Sequence, residues 1–295
     1  MDIYCKTGLD TEELKARQSL VHDGCEIQLL DDFVVNNKPI KDYLAILGEH
    51  VNDIKIVHTP LCKNRDLKLD AINLEDLWHP KFKRILANTC ELADAIGKKS
   101  KQEIGVIIHT GVNMRDLAIH PRFIYSIGLI FDDLLARYSS IYFLVENVVL
   151  STNLHQEFKC RNGALPNYVD VIDKLKSICE YPDKFKSVLD VCHAISSIRM
   201  MYRWERDISL EDYFDKAKDT IGLIHLAYVG NLGLYPGEHG IPFTDETKEE
   251  MDKVFELYNK YNYKCPITIE IPEKDYTNCI NYKNNREMIK DIINI

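Results

Sequence analysis

Six short apolar runs deliver a histidine or a carboxylate at or near their ends. They are "DIKIVH" (His58), "EIGVIIH" (His109), "IYFLVE" (Glu146), "KSVLD" (Asp190), "IGLIHLA" (His225) and "PITIE" (Glu270). Imidazole nitrogens and carboxylate oxygens are the donors that hold divalent ions such as zinc or manganese. Side chains alternate between the two faces of a strand, so each donor shares a face with the residue two before it. Those residues are Ile56, Ile107, Leu144, Val188, Leu223 and Thr268. Three carboxylates meeting at one mouth would repel one another unless protons or cations neutralised them. Interleaved with three histidines, they predict a metal centre. In "VLDVCHAI" the Asp190–His193 pair taken alone reads as a helix cap followed by a partly buried histidine. Within the larger set, Asp190 becomes a ligand and His193 lies past the strand end, within reach of a neighbouring ion. His239, in the Gly/Pro-rich "YPGEHGIPF", sits in a loop on the same rim.

Eight strands would position these residues, at 1–5, 24–30, 53–58, 103–109, 141–146, 186–190, 221–227 and 266–270. They are rich in isoleucine and valine and nearly continuously apolar, as strands buried on both faces should be. Helical segments lie between them. "DTEELKARQSL" opens with Asp10 and Glu13 in capping-box spacing, and "PKFKRILANTCELADAIGKK" starts on proline with Gly97 near its end. "DETKEEMDKVFELYNKYN" places Met251, Val254, Phe255 and Tyr258 on one packing stripe. The alternation predicts a single (β/α)8 TIM-barrel domain over residues 1–295, with 59–79 and 147–167 as excursions on one rim. An open doubly wound sheet has the same local texture, but "KTGLD" after the first strand is no dinucleotide fingerprint.

The composition, 45% apolar and 28% charged, is that of a globular chain with a sizeable core. No signal peptide or membrane-length apolar run is evident, and nine cysteines without a C-x-x-C pair read as free thiols of a cytoplasmic protein. A formal charge of −9 argues against a broad basic face for nucleic acid. "GKKSKQ" (97–102) reads as a solvated helix end, and Lys184, Lys186, Arg199 and Arg203 are the basic residues nearest in sequence for a phosphate contact.

The ordered motifs "HTPL" (58–61), "HTG" (109–111), "EN" (146–147), "DVCHA" (190–194), "HL" (225–226) and "EIP" (270–272) resemble the endonuclease IV branch of the xylose-isomerase-like TIM barrels, over nearly the whole chain. The resemblance implies up to three ions. His58, His109 and Glu146 would hold the first; Glu146, Asp190, His225 and Glu270 the second, with Glu146 as bridge; His193 and His239 would belong to a third. An aspartate that completes the third ion in that branch is Gly237 here, with Glu238 adjacent as a candidate substitute or substrate contact. "ENVVL", "AYVGN" and "CKTG" also depart from the branch, the last lacking its first-strand histidine motif.

Two functions follow as expectations. One is a metal-dependent phosphoester hydrolase with two or three zinc ions, acting on abasic DNA or on a smaller phosphoester. The other is a sugar (phosphate) isomerase or epimerase with one manganese-like ion, in which Glu146 and Glu270 form the acid/base pair. Under either reading Glu26 and Gln28, on one face of the second strand, Arg203, Trp204 and Glu238 are candidate substrate contacts.

Overall fold

The computed structural model describes residues 1–36, 38–61, 71–111, 121–149, 164–202, 207–230, 240–273 and 278–293. The expected strands are all present and close into one parallel barrel in chain order, the first pairing with the eighth. They are β1 (Ile3–Gly8), β2 (Gly24–Gln28), β3 (Ile54–His58) and β4 (Ile104–His109). The second half adds β5 (Ile141–Glu146), β6 (Phe185–Asp190), β7 (Ile221–Leu226) and β8 (Ile267–Ile269).

Between them run α1 (Thr11–Gln18), α2 (Asp31–Asn36), α3 (Ile40–Leu47), α4 (Pro80–Ser100) and α5 (Pro121–Arg137). Then come α6 (Val169–Ile178), α7 (Val191–Tyr202), α8 (Leu210–Ala217), α9 (Lys248–Lys260) and α10 (Ile280–Ile293). Asp10 caps α1, its Oδ1 accepting from the backbone of Glu12 and Glu13, while the Glu13 side chain turns to Arg17. In "GKKSKQ" Gly97 is buried while Lys98, Lys99 and Lys101 are exposed, and Lys101, in the left-handed region (φ 57°), closes α4.

Two apolar layers explain the near-continuous hydrophobicity of the strands. Outward side chains such as Ile27, Val57, Val106, Phe143, Leu189 and Ile224 pack under the helices. Inward side chains form a separate plug of Tyr4, Ile56, Ile107, Leu144, Val188 and Leu223, with Tyr142 against it. Each such aliphatic side chain contributes roughly 1.5–3 kcal/mol by leaving water. Gly105 makes room for the plug, since a Cβ there would lie 2.6 Å from Leu144 Cδ1.

β1 is the strand that differs most from its expected bounds. It runs on past Cys5 to Gly8, so Lys6 lies within the sheet, opposite Glu26 of β2. The seven described cysteines are buried and free, and no helix among the described residues is long and apolar enough to cross a membrane.

Candidate metal centre

The plug residues fix what stands above them. One pleat further along, β3 to β7 present His58, His109, Glu146, Asp190 and His225, each two residues beyond a member of the plug. β1 contributes Lys6, two beyond Tyr4, and β2 contributes Glu26, level with it. Glu270 follows β8 directly and stays in register because its backbone nitrogen donates to Leu226 O at 3.1 Å. Every strand of the barrel thus supplies one ionisable side chain to a single ring at the carboxyl-terminal mouth.

Glu146 is the centre of that ring. Its Oε2 faces His58 Nε2 at 3.3 Å and His109 Nε2 at 3.6 Å. Its Oε1 faces His225 Nδ1 at 3.5 Å and His193 Nδ1 at 3.6 Å. The tautomers follow from the other ring nitrogens. His58 Nδ1 donates to Thr59 O (2.8 Å), so in the neutral ring the Nε2 lone pair points at Glu146. His225 Nε2 donates to Glu26 Oε2 (2.8 Å), which turns Nδ1 toward Glu146 and toward Glu270 Oε2, 2.7 Å away.

Two sets of ligand atoms result, each within 4.8 Å internally: His58, His109 and Glu146, and Glu146, Asp190, His225 and Glu270. The resemblance implies the same two groupings. A buried imidazole nitrogen and a buried carboxylate oxygen, His225 Nδ1 and Glu270 Oε2, meet without hydrogen-bond geometry to any described partner. A divalent ion taken up in place of the His225 proton would satisfy both atoms, and the N/O donor set suits zinc, manganese or a similar metal.

The electrostatics without an ion point the same way. Burial opposes ionisation of Glu146, yet the charge on His225 above all outweighs it and holds the carboxyl well below its usual range. Burial likewise opposes Glu270, and Lys6 and His225 win. His225 behaves oppositely: despite burial, Glu26, Glu146 and Glu270 hold its pKa well above 6.5. Burial dominates at His109, pushing it down to about 3, so that imidazole is neutral and ready to ligate.

Asp190 both caps a helix and belongs to the ring. Its Oδ1 accepts from the backbone of His193 at 2.7 Å, at the start of α7, while its carboxylate stays in the second ligand set. Asn147 clamps the Asp190 backbone from both sides, through Oδ1 to its nitrogen (2.8 Å) and Nδ2 to its oxygen (3.1 Å). His193 Nδ1 donates to Asn147 O at 2.7 Å. His193 belongs to neither of the two ligand sets. His239, Gly237, Glu238, Arg203 and Trp204 lie outside the described residues.

Lys6 and the supporting role of Glu26 are what the motifs did not reveal. Lys6 Nζ reaches Glu270 Oε1 at 2.5 Å and Glu26 Oε1 at 3.2 Å. Glu26 is fully buried behind His225 and Lys6 rather than facing open space. The signal for Lys6 was the same count by twos, started at Tyr4 and carried past Cys5.

Gln28 is tied through Nε2 to the backbone oxygens of Leu29 and Thr59, and it stands on the wall of a cavity of about 290 Å³ that Lys6, Thr7 and Glu270 also line. Lys184 and Lys186 fall at the amino-terminal end of β6, opposite the mouth, where Lys184 pairs with Glu103. Arg199 is engaged with Tyr228 OH at 2.6 Å.

No family model and no curated protein matches the chain. Among solved structures it is similar to endonuclease IV from Thermus thermophilus, with 16% identity and a TM-score of 0.63, covering 99% of this chain and 100% of that one. It is also similar to D-allulose 3-epimerase from Methylomonas sp., with 13% identity, a TM-score of 0.61 and coverage of 99% and 98%. A third is a xylose isomerase-like TIM barrel protein from Mycobacterium smegmatis solved in complex with magnesium, with 11% identity, a TM-score of 0.56 and coverage of 99% and 97%. At these identities the likeness is one of fold: the chain is a closed (β/α)8 barrel.

Proposed function

We propose that the protein is a divalent-metal-dependent phosphoester hydrolase. The observation that carries this reading is the division of Glu146, whose two oxygens face two different histidine sets. A carboxylate placed this way serves a pair of ions, and paired ions suit in-line displacement at phosphorus better than a single-ion proton shuttle. Bound there, the ions would activate water and neutralise charge on the phosphoryl oxygens.

The chain's own contribution is preorganisation. Thr59 O and Glu26 fix the tautomers of His58 and His225, and Asn147 fixes the backbone of Asp190. The ring is nearly free of solvent, so its charges act at low dielectric. Gln28, on the cavity wall beside Glu270, is the proposed substrate contact. The net charge of −9 favours a small phosphoester over a long nucleic acid.

A sugar isomerase or epimerase is the second reading, supported by the small cavity beside Glu270, where Lys6, Thr7 and Gln28 share the lining with Leu30, Leu61 and Ile271. In it Glu146 and Glu270 would exchange the substrate proton as base and acid. Lys6 on Glu270 Oε1 weighs against that role, because an acid/base carboxylate needs an oxygen open to substrate.

The test is an assay of metal-reconstituted protein on a generic phosphodiester, an abasic-site duplex and a panel of ketoses. Phosphoester cleavage that disappears in Glu146→Gln is the expected result. Epimerisation of a ketose without any phosphoester cleavage would overturn the proposal.

A further inference from the structure

We infer that Lys6 is a positioning residue that confines Glu270 to one ligating oxygen and holds down the ring's affinity for the ion beside it. This rests on the metal reading of the ring but not on the choice of reaction. The placement follows from strand register. β1 pairs with β8 with Cys5 opposite Ile269, so Lys6 and Glu270 lie level, and β1 pairs with β2 with Lys6 opposite Glu26. The ammonium therefore drops between two carboxylates, with its side chain 13% exposed.

Three consequences follow. Glu270 Oε1 is taken by the ammonium at 2.5 Å, so only Oε2, which faces His225 Nδ1, is available to an ion. A carboxylate held in this way cannot chelate with both oxygens, and its rotation is blocked. Finally, the ring's other members are histidines and carboxylates, so Lys6 is its one permanent cation among the described residues. A fixed positive charge this close repels an incoming divalent ion, the more so in a buried ring.

Removing the ammonium while keeping its apolar stem should act on the ion in two ways that reinforce each other. It deletes a like charge, and it frees a second carboxylate oxygen. Lys6→Met should bind Co2+ about ten-fold more tightly or better, the scale on which groups behind a metal ligand act. The visible absorption of bound Co2+ should weaken, because a chelating Glu270 raises the coordination number. Lys6→Arg keeps the charge and should keep both the wild-type affinity and the wild-type spectrum.

The experiment is a Co2+ titration of the metal-stripped full chain followed by visible absorption, for wild type, Lys6→Met and Lys6→Arg, with circular dichroism as the check of folding. If Lys6→Met does not fold, the neutral amide of Lys6→Gln carries the same expectation. Tighter binding with a weakened band in the neutral variant, restored by arginine, is the predicted result. Unchanged or weaker binding in the neutral variant, or an unchanged spectrum, overturns the inference while leaving the hydrolase proposal standing. A wild-type protein that takes up no Co2+ overturns both. Phosphoester hydrolysis plays no part in this readout, so a failed activity assay strikes the functional proposal alone.

Discussion

Glu26 Oε2 accepts the Nε2–H of His225 across the barrel at 2.8 Å, with both side chains out of solvent. A carboxylate behind a ligating histidine fixes which nitrogen faces the ion and raises its basicity. Replacing Glu26 by glutamine keeps the shape, removes that charge and lets the amide hydrogen-bond either tautomer. Glu26→Gln should therefore bind the carboxylate-set ion about 10–100-fold more weakly while remaining folded. Calorimetric titration of the metal-stripped variant checks this, and wild-type affinity would refute it.

Without an ion, His225 is held protonated by Glu26, Glu146 and Glu270 against the cost of burial. An ion that takes Nδ1 must displace that proton. Binding at pH 7 is thus expected to release about one proton from His225. Calorimetry in two buffers of different ionisation enthalpy reads it directly, as a heat that depends on the buffer. Buffer-independent heat would contradict the assignment of His225 as a ligand.

His109 belongs to the first ligand set and not to the second. His109→Gln should remove one ion per chain and leave the ion at Glu146, Asp190, His225 and Glu270 in place. Metal content after gel filtration, compared with wild type, gives the count. Loss of every ion, or of none, would count against two separable sets.

The same residue predicts an acid limb of stability in the metal-free protein. Burial lowers His109 from 6.5 to about 3, so between those values the unfolded chain takes up a proton that the folded chain refuses. Stability from this group is complete above pH 6.5 and is lost as pH falls through that window. Glu146 and Glu270, held below 4.5, add to the loss at lower pH in the same direction. Melting temperatures of stripped wild type should fall from pH 6.5 toward 4.5, and His109→Gln should flatten that slope. Parallel slopes for the two proteins would refute it.

How far the site could be read in advance depended on where each partner lay in the chain. The count by twos placed His58, His109, Glu146, Asp190 and His225 over Ile56, Ile107, Leu144, Val188 and Leu223, and the plug consists of those residues with Tyr4. Apolar strands buried on both faces carry that register in local sequence. Lys6 was hidden because a lysine after "MDIYC" reads as the point where a strand meets water. What buries it is Glu26 and Glu270, the second of them 264 residues away. Glu26 was seen on the correct face, but its partner His225 is 199 residues distant, so support for a ligand could not be told from contact with substrate. The split of Glu146 between two histidine sets is a matter of oxygen-level geometry that no spacing encodes.

That split is the central claim, and metal occupancy tests it most directly. The measurement is metal analysis of the purified protein together with an anomalous-scattering map of its crystals. Two peaks are predicted, one against His58 and His109 and one against Asp190, His225 and Glu270, with Glu146 reaching both. A single ion, with His58 and His109 both unliganded, would contradict the account.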